Sequence, residues 1–344
     1  LLLAGFYSIG VTSHLVPFFL NVLLSCAVLA MVYAVLRRHR MPPGWNLGLL
    51  LAMSFLTPFV SLVFTGLEHV LHILLTLLFL YFGAHAIAGS GGAPGGEFGG
   101  EPDGPMIGRR LRPEHWLLML APILVMTRFE GIFAAFVVCL VLLVQRRGVY
   151  AVTIGGLALL PVGIYGLIST AKGWYFLPNS VVMKSIRPEL SIMALLRFLL
   201  GQGSGSDAIG IRALMTSPFL LTLVLAALAA ALYVYRREQR WSASSVLLVL
   251  FLAVTALHLQ LARTGWFYRY EAYLIATGLF AIAFGCRTLL EQAPSTPRPA
   301  PVRIFTVLLA FLVLYPLVQR GLIATLKAPM ASKNIFDQQV QMAR

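Results

Sequence analysis

Charged residues are scarce in this sequence: Asp, Glu, Lys and Arg make up 11% of its 344 residues, and only 12 residues are acidic. With 59% hydrophobic residues as well, this composition excludes an ordinary soluble globular protein. The 26 Lys and Arg residues leave a net charge of +14. Because the arginines form short clusters between apolar runs, they indicate cytoplasmic loops of a membrane protein and argue against a nucleic-acid partner.

Cysteine is also rare, with only Cys26, Cys139 and Cys286. Each lies in an apolar run, and their spacing does not match a metal site, so we interpret them as small buried hydrophobic residues. The sequence does not begin with methionine, and its first residues lack the basic start and the cleavage site of a signal peptide. Both ends look like interrupted helices, so we expect further residues beyond each of them.

Long apolar runs are the main feature that is present. A membrane-spanning helix needs roughly 20 apolar residues, and about ten segments qualify. Since a helix satisfies its own backbone hydrogen bonds in lipid, we predict an all-α polytopic bundle over residues 1–319, followed by the start of an external segment at 320–344. The predicted spans lie near residues 16–36, 47–64, 70–88, 150–168, 219–235, 244–262, 272–289 and 304–319, with a broken hairpin at 116–144.

When these spans alternate in direction, every basic cluster falls on one side of the membrane. The clusters lie around Arg37, Arg109, Arg146, Arg236 and Arg298. The positive-inside rule makes this side cytoplasmic. We therefore predict a multi-pass protein of the cytoplasmic membrane.

The same alternation places the unusual polar residues on the outer side. They are Glu68 with two nearby histidines, Arg128 with Glu130, and the segments 174–184 and 266–271. Because a charge at membrane depth costs about 3 kcal/mol, four such clusters on one side favour a shared polar site. For any single cluster, the alternative is a side chain that reaches from the membrane edge to water.

The carboxylates Glu68, Glu130 and Glu271 have three possible roles. They could act as a base, bind a divalent cation or hold Arg128 and Arg269 in place, and the sequence does not choose among these. Arg128 and Glu130 could also pair only to shape their own turn. His69 and His72 have no clear third ligand, so we predict no metal site from them.

A second set of residues suits a phosphate. Cations beside aromatic residues match a phosphorylated lipid headgroup, although attraction to ordinary anionic lipids is the alternative. The candidate donor-phosphate and substrate-binding residues are Trp174, Asn179, Lys184, Arg187, Tyr268 and Arg269.

Four short motifs resemble those of a known family. They read Thr-Gly-Leu-Glu at 65–68, Thr-Arg-Phe-Glu-Gly at 127–131, Leu-Pro-Asn at 177–179 within the aromatic segment, and Tyr-Arg-Tyr at 268–270. In this order they resemble bacterial membrane glycosyltransferases of the GT-C fold, nearest to the arabinofuranosyl- and mannosyltransferase-like enzymes of cell envelopes. Two positions depart from the usual pattern, with Phe129 in place of proline and His69 in place of threonine.

The resemblance implies an enzyme that moves a sugar from a polyprenyl-phosphate donor to a glycan or lipid acceptor outside the cytoplasm. The family's catalytic Asp lies in a first external loop, which we expect upstream of Leu1. The alternative is a non-enzymatic polyprenyl-lipid-binding protein or a flippase. A transporter should carry polar residues through the midplane of its helices, whereas these spans keep their charges at the ends, which favours the enzyme.

Overall fold

A computed structural model of the chain describes residues 8–10, 13, 15–65, 68–89, 112–178, 209–239, 241–264, 269–287 and 300–343. All the regular elements in these ranges are helices, which agrees with the predicted all-α membrane bundle. In chain order they are α1 (Val16–Arg38), α2 (Pro43–Leu56), α3 (Phe59–Thr65), α4 (His69–Ala88), α5 (Pro113–Thr127), α6 (Gly131–Val144), α7 (Gly148–Ala171), α8 (Gly210–Met215), α9 (Pro218–Glu238), α10 (Ala243–Leu261), α11 (Ala272–Gly285) and α12 (Ala300–Ala343).

Five of these helices are long and apolar enough to cross a membrane: α1, α4, α7, α9 and α10. A sixth span results if α2 and α3, which meet at a bend of 42°, are counted together. Helices α5, α6 and α11 are apolar but shorter, and α5 and α6 form the predicted broken hairpin. The described residues therefore confirm a helical bundle with membrane-spanning segments, while the total of ten spans stays a prediction.

Helix α4 is the centre of the bundle. It packs against α1, α5, α6, α10 and α11, and 78% of its most apolar stretch is buried. Helix α11 is buried along nearly all of its length as well. The other long spans bury one face and expose large apolar side chains on the other, as lipid-facing helices do. Whatever lies at the two ends of α4 is thus held by the most rigidly packed part of the molecule.

One end of the bundle, which we call the basic end, holds Arg37, Arg147 and Arg287. Arg287 bonds to His39, which follows α1, and Arg147 pairs with Glu114 at the start of α5. Arg147 Nη1 also donates to the carbonyl oxygen of Ala86, near the end of α4, at 2.7 Å. Basic clusters that are far apart in sequence therefore meet at one end, as the alternation of spans predicts.

Helix α12 runs without interruption across residue 320, where the sequence predicts a domain boundary. Arg320 is buried, and Ser332 Oγ donates to the carbonyl oxygen of Phe64 at 3.1 Å. A Cβ on Gly321 would lie 2.7 Å from the carbonyl oxygen of Phe55, so α12 crosses α2 at a distance that only glycine permits. The first turns after residue 320 are thus packed against α2 and α3. Whether later residues begin an external segment remains a prediction.

Candidate active site

Three segments from distant parts of the sequence meet at the other end of α4, which we call the motif end. Glu68 and His69 lie at the start of α4, Arg128 and Glu130 lie in the turn between α5 and α6, and Tyr270 lies just before α11. Helix α4 has 20 residues, so this end lies about 30 Å from the basic end. Three of the four motifs of the resemblance therefore contribute residues to one place.

Arg128 is the link between these segments. Its Nη2 and Nε lie 2.7 Å and 3.2 Å from the two carboxylate oxygens of Glu130, which is the two-point geometry that gives strong arginine–carboxylate pairs. Its Nη1 reaches Glu68 Oε1 at 3.3 Å and His69 Nδ1 at 2.6 Å. The pair with Glu130 shapes the turn, and the bonds to Glu68 and His69 tie that turn to α4.

Charge and burial fix the ionisation of this group. Burial raises the pKa of Glu130, but the charge of Arg128 and its hydrogen bond outweigh burial and hold that pKa at about 2. The pKa of Arg128 is raised, because Glu130 and Glu68 together outweigh its burial. The site therefore presents a charged arginine and a charged Glu130 over the whole physiological pH range.

Tyr270 lies between two cations. The Arg128 Cζ atom is 5.8 Å from the centroid of the Tyr270 ring, and the Arg269 Cζ atom is 5.6 Å from it. The Nε atom of Arg269 is buried and has no hydrogen-bond partner within the described residues. An arginine with a donor to spare, beside an aromatic ring and a second arginine, suits an anionic group.

A buried polar cluster lies one helical turn deeper. The ring of Tyr273 in α11 lies edge-to-face with His72 of α4 at 4.7 Å between centroids. The Tyr273 hydroxyl is 3.0 Å from His258 Nδ1 in α10. The sequence analysis missed Tyr273 and His258. A signal was available, because Tyr273 follows Glu271 by two residues and His258 lies within one turn of the end of its helix.

Glu271, which we predict to support the site, pairs with Arg320. The two side chains are 0% and 2% exposed, and Arg320 Nη2 lies 3.1 Å from Glu271 Oε1. The Arg320 guanidinium also lies 4.9 Å from the centre of the Phe219 ring and donates to the carbonyl oxygen of Leu56 at 3.3 Å. Glu271 thus joins α11 to α12. Sequence reasoning missed Arg320, since it was placed in an external segment.

The aromatic segment after α7 begins by folding back on that helix. Ser169 Oγ donates to the carbonyl oxygen of Tyr175 at 2.7 Å, and Phe176 packs directly over Gly166. Trp174 is 65% exposed and is contacted by Lys172, whose Nζ lies 5.5 Å from the ring centroid. The structure thus places Trp174 on the surface at the end of α7. Four other candidate residues lie outside the described residues: Asn179, Lys184, Arg187 and Tyr268.

The two carboxylates at the motif end are held by a guanidinium. Within the described ranges there is no group of three or more His, Cys, Asp or Glu residues that could hold a metal ion. The sequence leaves three roles open to Glu68 and Glu130: to act as a base, to bind a divalent cation or to hold an arginine. In the structure both carboxylates bond to Arg128.

Gly131 makes the turn between α5 and α6 possible. A Cβ at this position would lie 2.7 Å from Leu124 Cγ and 2.9 Å from the Leu124 carbonyl oxygen. We expect Gly131→Ala to lower the free energy of unfolding by about 1–3 kcal/mol, because backbone atoms of Leu124 must shift. Chemical denaturation in detergent micelles measures this change. Gly156→Ala in α7 is the matched control, since its Cβ meets nothing within 4 Å and should cause no loss. Equal stability of the Gly131 variant would contradict this account of the turn.

Comparisons with family models, curated proteins and solved structures returned no match. The case for a function therefore depends on the motifs and on the geometry of the motif end.

Proposed function

We propose that this protein is a GT-C-type membrane glycosyltransferase. It would move a sugar from a polyprenyl-phosphate donor to a cell-envelope acceptor on the side of the motif end. In this proposal Arg269 faces the donor phosphate, and Arg128, which Glu68 and Glu130 hold in position, supports the site. The base would come from the loop expected upstream of Leu1.

The observation that carries the proposal is the meeting of Glu68, Arg128 and Tyr270 in one cluster. The motifs that contain them are separated by about 60 and 140 residues, and no pattern within any one motif requires them to meet. A structural turn would need only the local pair of Arg128 and Glu130. The added bonds to α4 fix the position of Arg128. Arg269 beside Tyr270 supplies a second cation, which no carboxylate pairs with in the described part of the chain and which suits an anionic substrate.

The position of the charges favours an enzyme over a transporter. Arg128 and Glu130 lie in a turn between helices, and Glu68 precedes the first residue of α4. The buried polar residues His72 and His258 lie within one turn of the same end. A transport path would need polar groups further along the spans, toward the bilayer midplane.

The test is transfer of radiolabelled arabinose or mannose from a polyprenyl-phosphate donor to an envelope glycan by the full-length protein in liposomes. We expect transfer, and we expect Glu68→Gln to lower kcat/KM by roughly 10–100-fold, because Arg128 loses one of the charges that position it. Glu114→Gln is the matched control, since Glu114 pairs with an arginine at the basic end and should leave transfer unchanged. Movement of labelled donor across the bilayer without any transfer would instead support a flippase.

A further inference from the structure

A cavity of about 540 Å³ lies between the end of α1 and the start of α2, at the basic end. The residues that line it are mostly apolar. Two of them, Tyr33 and Leu47, have 43% and 60% of their surface exposed on the outside of the bundle. An opening between two lipid-facing helices is accessible to a molecule within the membrane. The full lining is Tyr33, Arg37, Arg40, Met41, Pro43, Asn46, Leu47 and Leu50.

The polar part of this lining is cationic. Arg37 and Arg40 are both exposed, and within the described residues neither guanidinium pairs with a carboxylate. Helix α2 begins at Pro43 with no acidic residue in its first turn and no side-chain cap, so its positive dipole end also faces this region. The local field therefore favours an anion.

Asn46 adds a buried polar side chain to the lining of the cavity. It is 7% exposed, and its Nδ2 donates to the carbonyl oxygen of Met41 at 3.3 Å. Its Oδ1 is buried and has no hydrogen-bond partner in the part of the chain that the structure describes. A buried amide oxygen without a donor is costly, and a hydroxyl group of a bound molecule would satisfy it.

The backbone of Arg40 allows its side chain to be removed without strain. Its φ is +55°, in the left-handed region that glycine usually occupies after a helix. The amide of Met41 donates to the Leu36 carbonyl oxygen at 3.1 Å, and the amide of Arg40 donates to Arg37 at 3.0 Å, which closes the usual glycine-type end. Because glycine is the usual residue at such a helix end, replacing Arg40 with glycine removes the guanidinium without straining the backbone.

We propose that this cavity binds an anionic phospholipid, with its phosphate between Arg37 and Arg40 and a headgroup hydroxyl on Asn46. The upper part of an acyl chain would lie along Tyr33, Leu47 and Leu50. Apolar walls open to the lipid side distinguish such a ligand from a soluble phosphate, which has no group to place against them. This site lies at the opposite end of the bundle from the proposed active site and does not depend on that proposal.

The test is native mass spectrometry of the protein in detergent micelles, titrated with dioleoyl phosphatidylglycerol or with dioleoyl phosphatidylcholine. We expect the first phosphatidylglycerol to bind at least about fivefold more tightly than phosphatidylcholine, since each arginine near an anionic headgroup contributes roughly that factor. Arg40→Gly should remove about fivefold of the affinity for phosphatidylglycerol. It should not lower the melting temperature, because glycine relieves the left-handed backbone.

Arg146→Gly is the matched control. Arg146 has a φ of +60°, follows α6 with the same hydrogen-bonding pattern and lies at the same end of the bundle, but away from the cavity. It should leave lipid affinity unchanged. Equal binding of the two lipids, an Arg40→Gly protein with unaltered affinity, or an equal loss in both glycine variants would overturn the proposal. Displacement of the lipid by glycerol phosphate at similar concentrations would overturn it too, in favour of a soluble anion.

Discussion

Replacing Glu271 with leucine is expected to lower the free energy of unfolding by about 3–5 kcal/mol, because Arg320 would then be a buried charge without its carboxylate. Both side chains are nearly inaccessible, so water cannot replace the lost partner. Arg320→Met should also lower stability, because it leaves the buried Glu271 without the charge of Arg320. Chemical denaturation of each variant in detergent micelles measures the loss.

The double variant Glu271→Leu/Arg320→Met tests whether the two residues stabilise the protein as a pair. It removes both charges at once and fills the space with apolar atoms, so we expect it to recover most of the stability of the original protein. A double variant as unstable as the sum of the two single variants would show that the two residues act independently.

Glu114→Leu is the matched comparison for the same type of ion pair. Glu114 and its partner Arg147 are 13% and 21% exposed at the basic end, so water and salt can screen the charge that is left. We expect a loss of about 1 kcal/mol there. The difference between the two sites reports what burial adds to the cost of breaking a pair.

The helices of this protein could be predicted because each long apolar run has its own length and its own basic or polar ends. The break between α5 and α6 could also be predicted, because Thr-Arg-Phe-Glu-Gly interrupts an apolar stretch. The polar residues of the motif end were also found, because charges are rare in this chain. Their grouping followed from the alternation of spans alone.

Contacts between distant helices could not be predicted in the same way. Arg320 is 49 residues from Glu271, and nothing in the apolar pattern between them says that α12 returns to α11. Tyr273 and His258 belong to two helices whose rotation is set by packing against α4, which a single sequence does not specify. The left-handed backbone conformation of Arg40 could not be predicted either, since an arginine gives no local signal for that conformation.

Arg128→Met should reverse the contribution of Glu130 to the acid dependence of stability. In the original protein the pKa of Glu130 is about 2, below its ordinary value of 4.5, so the unfolded chain binds more protons between these values and stability rises with pH across them. Its contribution is complete above 4.5 and is lost as the pH falls through 2. Without Arg128, burial is the main remaining influence and raises that pKa, so the contribution of Glu130 to stability should fall as the pH rises above 4.5.

At pH 7 we expect the Arg128→Met protein to be about 3 kcal/mol less stable, since Glu130 would be charged, partly buried and unpaired. Denaturation midpoints between pH 4 and 8 measure both the loss and its slope. Adding Glu130→Gln should remove the part of the slope that Glu130 contributes, so the difference in stability between Arg128→Met and Arg128→Met/Glu130→Gln should fall as the pH rises. Glu68→Gln should not remove that part, since Glu68 is half-exposed to water. A difference between Arg128→Met and Arg128→Met/Glu130→Gln that does not fall with pH would mean that Arg128 does not control Glu130. In that case the ion pair would be a passive feature of the turn, and the central part of the proposed active site would lose its support.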